Sequence, residues 1–259
     1  MKLSTMLRLA RVLLHVLQGM AICATVFPWL GQDQRNGQIR RWSRRLLALC
    51  NVTVAQDGGA LAAAPAPVLA QAMLVSNHVS WLDIFVIHSL APSHFVAKAE
   101  IRSWPLAGWL AQKAGTVFIA RGNRRDLRLI FEGLVTTLQR GQRVAFFPEG
   151  TTAAQGELLP FHANLFEAAI DAGVPVQPLA LRYVDARGAL HHSVDFIGEM
   201  TFAASIVAIL SGPPVTARVA IMPAIATVGA HRRALAEEAH GAVSAALGIA
   251  AAAHDQAGV

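Results

Sequence analysis

The chain has 259 residues, 54% hydrophobic and 15% charged, with two cysteines. That length can bury a sizeable core, the apolar share exceeds that of an ordinary soluble domain, and Cys23 and Cys50 lack the repeated spacing of a disulfide framework or zinc site. The net charge of +6 is uneven: residues 1–50 hold eight Lys or Arg against Asp33, whereas the remaining 209 residues stand at −1.

The basic excess lies beside the most apolar segment. Lys and Arg near anionic headgroups gain about 1 kcal/mol each, and neither an aromatic-rich RNA motif nor zinc-finger spacing is present. The charge therefore points to an anionic membrane surface as partner and away from nucleic acid. VLLHVLQGMAICATVFPWL, residues 12–30, approaches the ~20 apolar residues that a spanning helix needs. His15, Gln18 and Pro28 weaken a full span, and Ile22 before Cys23 fits poorly with a lipoprotein cleavage site. Basic residues flank the run on both sides, where a single span shows a one-sided excess. These features predict a re-entrant or interfacial anchor, with a full span and a signal peptide as alternatives. RNGQIRRWSRRLLALCNV (35–52) then reads as a basic amphipathic helix lying on the headgroups, with Trp42, Leu46, Leu47 and Leu49 on or near its apolar side. Residues 1–50 thus form an anchoring unit, 51–250 a second domain and 251–259 a frayed tail.

From residue 52 the chain alternates strand-like and helix-like stretches. Strands are predicted at 52–56, 73–76, 94–98, 116–120, 143–147, 175–181 and 215–222. Helices are predicted at 80–90, 105–114 with Pro105 in the first turn, 124–141 closed by Gly141, 164–173 and 231–247, with a loop over 57–71. This alternation specifies an α/β fold with a mixed, largely parallel sheet flanked by helices.

Polar groups gather where strands end, which is where open α/β sheets collect ligands. Asn77, His78 and Asp83 follow the 73–76 strand, Arg121 follows 116–120, and Pro148, Glu149, Gly150, Thr151 and Thr152 follow 143–147. Each has a bland alternative. Ser80 and Asp83 fit a helix-start capping pattern, Arg121 fits a surface position, and Glu149-Gly150 fits an ordinary turn. A spacing of five places two helical residues about 140° apart around the axis. His78 and Asp83 therefore meet only if His78 sits in the loop before the helix.

Taken together, His78-x4-Asp83, Gly115-Thr-Val-Phe-Ile-Ala-Arg121, Phe147-Pro-Glu-Gly-Thr151 and Val174-Pro-Val-Gln-Pro178 resemble the four ordered motifs of the glycerolipid (lysophosphatidic acid-type) acyltransferases over roughly residues 70–185. The resemblance implies a membrane-associated enzyme on the cytoplasmic face of a bacterial inner membrane, without a bound cofactor or metal. Its partners are a lysolipid acceptor and acyl-CoA or acyl carrier protein as donor. It implies His78 as base and Asp83 as its orienting carboxylate. Arg121 then binds the acceptor headgroup, and Glu149, Gly150, Thr151 and Thr152 hold the acceptor's glycerol portion. Asn77, Gly115, Phe118, Pro148 and Pro175 take supporting places. Backbone N–H groups of 148–152 are the expected oxyanion donors.

A neutral imidazole, with an unperturbed pKa about 6.5, suits removal of a hydroxyl proton near neutral pH. The nucleophile is then the substrate hydroxyl, which fits the missing G-x-S-x-G elbow. One feature departs from the family pattern: Thr152 stands where many lysophosphatidic acid enzymes carry Arg. LPFHANLFEAA, with Phe161 and Leu165, is similar to bacterial members that include lyso-ornithine lipid acyltransferases, the alternative reading. Two other classes compete. A metal-dependent hydrolase lacks paired histidine spacing, since His191 and His192 are adjacent. A non-catalytic membrane adaptor shares the anchor but has no need of a base beside a carboxylate.

Overall fold

The computed structural model describes residues 3–57, 67–104, 106–119 and 124–249. Most of the expected loop of 57–71, together with Pro105, Arg121 and the expected tail, lies outside these residues. The strands are β1 Val52–Asp57, β2 Met73–Ser76, β3 His94–Lys98, β4 Val117–Ile119, β5 Val144–Phe146, β6 Val176–Val184 and β7 Val215–Ile221. They form one seven-stranded sheet in the order β1-β7-β6-β2-β5-β3-β4. Every neighbouring pair is parallel except β6 with β7.

Side-chain alternation along the strands divides the core into two layers. Met73, Val75, Val144, Phe146 and Val176 face α5 (Arg124–Gln139), α6 (Glu167–Ala172) and α8 (Arg232–Leu247). Leu74, Ala145, Leu179, Leu181 and Tyr183 face α2 (Gln32–Leu49), α3 (Leu82–Leu90) and α7 (Phe202–Ser211). Both faces are covered, which is why the central strands read as almost unbroken apolar runs.

Residues 182–214 show no clear period in the sequence, yet they contain α7. Its ten residues, FAASIVAILS, lack the polar face that would mark a helical repeat. Its start is set by Thr201, whose hydroxyl accepts from the Ala204 N–H at 3.2 Å. Helix 80–90 begins later than its sequence suggests, at Leu82. The helix expected from Pro105 is α4, Ala107–Lys113.

The amino-terminal apolar segment forms α1, Leu3–Thr25, long and apolar enough to cross a membrane. Only a narrow stripe of it, Thr5, Val12, His15, Gly19 and Cys23, is buried. Leu3, Met6, Leu7, Leu13, Leu14 and Leu17 project outward, with Leu14 65% exposed. A 3₁₀ turn at Phe27–Trp29, containing Pro28, leads into α2.

The two helices are clasped at one point. The His15 ring stacks on Trp42 at 4.8 Å between centroids. His15 Nε2 donates to the Trp42 carbonyl at 3.0 Å, and Trp42 Nε1 donates to the His15 carbonyl at 3.1 Å. His15 thus turns toward the protein, and its polarity faces no outer surface. The apolar side of α2 faces the core rather than the headgroups: Leu46 and Leu47 are buried and Trp42 packs on Phe85. Arg41, Arg44 and Arg45 are exposed.

Gly19 is required where the Trp42 indole crosses α1, because an added Cβ would lie 2.5 Å from Trp42 Nε1. Gly19→Ala should therefore destabilise the folded chain by about 1–3 kcal/mol, despite alanine's better helix propensity. Chemical denaturation of the detergent-solubilised protein measures this, and an unchanged or raised midpoint would show that the clasp gives way.

Candidate active site

β2 ends at Ser76, and its loop is fixed immediately by Asn77. The Asn77 amide donates to the Leu181 carbonyl and accepts from the Leu181 N–H, both at 2.8 Å, so the loop is pinned to β6. His78 follows in the loop, as the five-residue spacing requires, and Asp83 is the second residue of α3.

Asp83 is fully buried and collects four donors. Its Oδ2 accepts from His78 Nδ1 at 2.8 Å, the Val79 N–H at 2.7 Å and the Ser80 N–H at 2.9 Å. Its Oδ1 accepts from the Tyr183 hydroxyl at 2.7 Å. The capping and dyad readings of Asp83 therefore describe the same carboxylate. Ser80 is not the helix cap; its hydroxyl lies 3.4 Å from the Leu82 N–H, and Trp81 occupies the cap position in helical geometry. The cap works in reverse, with Asp83 reaching back to the N–H groups ahead of the helix.

The carboxylate oxygen Oδ2 acts here as an acceptor, so Asp83 requires the proton of His78 on Nδ1. Nε2 is left with no hydrogen-bond partner among the described residues, and the side chain is 18% exposed. The imidazole lies flat on Phe147, centroids 3.8 Å apart and planes within 5°. Phe147 in turn stacks on Phe95. One face and one edge of the imidazole are thus fixed, and Nε2 is its open nitrogen.

The turn after β5 closes around the same loop. Glu149 Oε1 accepts from the His78 N–H at 2.7 Å and Oε2 from the Leu159 N–H at 2.9 Å. Burial pushes its carboxyl up to about 6, against the lowering effect of those two N–H donors. Ala153 N–H donates to the His78 carbonyl at 2.8 Å, the Thr152 hydroxyl donates to the Phe196 carbonyl, and Phe196 N–H donates to the Val79 carbonyl at 2.9 Å. The Gly150 N–H is closed back on the Phe147 carbonyl, so it is not an available oxyanion donor. Gly150 adopts a left-handed φ of +68°, which favours glycine. The Thr151 and Thr152 N–H groups make no hydrogen bond to a described residue.

The remaining sequence-predicted residues are more distant in role. The Pro148 carbonyl accepts from the His162 N–H, and the Pro175 carbonyl accepts from the Met73 N–H, registering β2 beside β6. Gly115 has φ +86° and packs under His94, whose Nδ1 donates to its carbonyl at 3.0 Å. Half-buried Phe118 lies on β4, the edge strand three places from β2. Arg121 is outside the described residues. Sequence reasoning missed Tyr183, the Phe147 stack, and Trp81, whose Nε1 donates to the buried Ser205 of α7 at 3.0 Å. A sole tyrosine in strand register with Leu179 and Leu181 is the one signal that would have marked Tyr183. No three His, Cys, Asp or Glu side chains among the described residues are grouped to hold a metal ion.

The acyltransferase family model matches residues 63–182. A Pseudomonas aeruginosa lyso-ornithine lipid O-acyltransferase is 40% identical over 255 residues, covering 95% of this chain and 94% of that protein. The chain belongs to the acyltransferase family. It is also 48% identical over 157 residues to the 1-acyl-sn-glycerol-3-phosphate acyltransferase of Neisseria meningitidis, a match over 60% of this chain and 59% of that protein. It thus aligns with less than two thirds of the length of that relative. The acyltransferase fold is shared with the lysophosphatidic acid acyltransferase PlsC of Thermotoga maritima, with a TM-score of 0.58, 21% identity, and coverage of 92% of this chain and 96% of that one.

Asp83 offers a clean separation of geometry from charge. In Asp83→Asn the side-chain oxygen can take the place of Oδ2 while the amide donates to Tyr183, whose hydroxyl rotates to accept. Asp83→Ala leaves several buried donors unpaired, at about 1–3 kcal/mol each. Denaturation should show the alanine variant destabilised by at least about 3 kcal/mol and the asparagine variant by about 1 kcal/mol. Equal losses would mean that the donors are satisfied elsewhere.

Proposed function

We propose that this protein is a membrane-associated O-acyltransferase that moves a fatty acyl chain from acyl-CoA or acyl carrier protein to the free hydroxyl of a lysolipid. The observation that carries the reading is the His78–Asp83 pair, with Nδ1 held by a buried carboxylate and Nε2 open. The acceptor hydroxyl donates to Nε2, and its oxygen attacks the thioester carbonyl as the proton passes to the imidazole. The tetrahedral intermediate collapses, the C–S bond breaks, and the leaving thiolate takes the proton from the imidazolium. Asp83 stabilises that imidazolium, as the carboxylate of a Ser-His-Asp triad does. The free N–H groups of Thr151 and Thr152 supply donors to the oxyanion.

Arg121 binds the anionic headgroup, since a guanidinium matches phosphate or carboxylate in two-pronged fashion. Glu149 acts by holding the backbone of His78, because both of its oxygens are already engaged. The exposed leucines of α1 and Trp29, 86% exposed, enter the acyl region of the cytoplasmic leaflet of an inner membrane, with the arginines of α2 toward its headgroups. The acceptor is 1-acyl-sn-glycerol-3-phosphate, as the name of the Neisseria relative suggests, and the product is phosphatidic acid. A second reading takes lyso-ornithine lipid as acceptor. It is favoured by Thr152, whose hydroxyl is spent on Phe196 and offers no phosphate-binding charge, and by the near full-length Pseudomonas match.

Detergent-purified protein should transfer labelled palmitate from palmitoyl-CoA or palmitoyl-acyl carrier protein to lysophosphatidic acid. His78→Ala should lose at least ~100-fold, the usual minimum for a general base, while keeping its fold. Product on lyso-ornithine lipid alone would establish the second acceptor. No product on either acceptor with either donor, or an unimpaired His78→Ala, would overturn the catalytic reading in favour of the adaptor.

A further inference from the structure

Tyr183 is the chain's only tyrosine, it is fully buried, and its hydroxyl is the one donor to Asp83 Oδ1 among the described residues. We propose that Tyr183 is a positioning residue for the His78–Asp83 pair, its hydroxyl tempering the charge that the carboxylate presents to the imidazole. The proposal rests on the acid–base reading of His78 given above.

The phenol is placed from behind rather than by the site. Its backbone N–H donates to Gln155 Oε1, its carbonyl accepts from the His191 N–H, and Gln155 Nε2 donates to the His191 carbonyl at 2.9 Å. The ring stands on the same face of β6 as Leu179 and Leu181, among apolar side chains. A phenylalanine would serve that packing equally, and a hydroxyl buried there without a partner would be costly. The hydroxyl's one partner among the described residues is Asp83. Burial, and then the charge of Asp83, push the Tyr183 hydroxyl well above its usual range, so it stays a protonated donor.

Removing that donor leaves Oδ1 bare and concentrates charge on the carboxylate. A more basic carboxylate stabilises the imidazolium more strongly, so the His78 titration moves to higher pH. The imidazolium formed during transfer then holds its proton more tightly, and its release to the leaving thiolate is slowed. The other titratable groups electrostatically coupled to the cluster are Glu149, on the His78 backbone, and Cys50 and Asp195, facing Tyr183. Burial pushes the Cys50 thiol up to about 12, which leaves it neutral, and Asp195 is engaged by His192 Nδ1 at 2.8 Å. None of the three is hydrogen-bonded to the phenol hydroxyl.

The test follows the ring titration of His78 by NMR in the full chain in detergent micelles, assigned by its loss in His78→Gln. Tyr183→Phe should raise the His78 midpoint by about half to one pH unit. The acid limb of kcat/KM should move by the same amount, with kcat down several-fold and acceptor KM unchanged. In an Asp83→Asn background the same substitution should add no further shift. Because Tyr183 is the only tyrosine, growth on 3-fluorotyrosine replaces that one phenol with a stronger donor and keeps the packing. It should move the midpoint the opposite way, to lower pH. A His78 midpoint unmoved by both changes, or an equal shift with and without Asp83, would overturn the proposal. The titration is independent of turnover, so an inactive protein would sink the catalytic reading while the coupling was still decided.

Discussion

Burying a carboxylate is tolerated only where donors replace the water it gives up. Asp83 meets that demand with two backbone N–H groups from its own loop, an imidazole and a phenol. Each donor comes with a structural consequence. The backbone pair shapes the loop between β2 and α3, the imidazole is turned so that its other nitrogen is free, and the phenol ties the helix start to β6. Glu149 repeats the arrangement from the neighbouring strand end, holding the His78 N–H and the Leu159 N–H. His78 is therefore held at its backbone by one carboxylate and at its ring by another, while Phe147 supports its face.

This loop is also connected mechanically to the surface helices. Trp81, two residues before Asp83, bonds to Ser205 of α7 and packs on Phe202. α7 in turn meets α1, where Arg8 Nη1 donates to the Leu210 carbonyl at 3.0 Å. α1 also packs on α2 through the His15–Trp42 clasp. A helix held along one stripe from Thr5 to Cys23 presents its outer leucines sideways, parallel to the face of the domain. This geometry suits the interfacial placement proposed for α1 better than a helix leaving the domain to cross a membrane.

Much of this was legible in the chain. The α/β alternation, the strand positions and the requirement that His78 lie in a loop all follow from local spacing. What was hidden depends on contacts between distant segments. Tyr183 is a hundred residues from Asp83, and its place in an apolar strand does not say which polar group it meets. α7 was invisible because an almost wholly apolar helix has no polar face to count. The orientation of α2 was misjudged for a related reason: amphipathicity shows that Trp42, Leu46 and Leu47 share a side but not whether lipid or protein covers it. Glu149 read as part of an ordinary turn or as an acceptor-binding residue, and only the fold reveals that both of its oxygens are satisfied from within.

The central claim is that Asp83 fixes the protonation and orientation of His78, with Nε2 left free. The most direct measurement is the ¹⁵N spectrum of histidine-labelled protein near neutral pH, with His78 assigned by substitution. Nδ1 should carry a proton displaced to low field by Asp83, and that proton should return toward ordinary positions in Asp83→Asn. A ring protonated at Nε2, or one exchanging freely between tautomers in the unaltered protein, would contradict it.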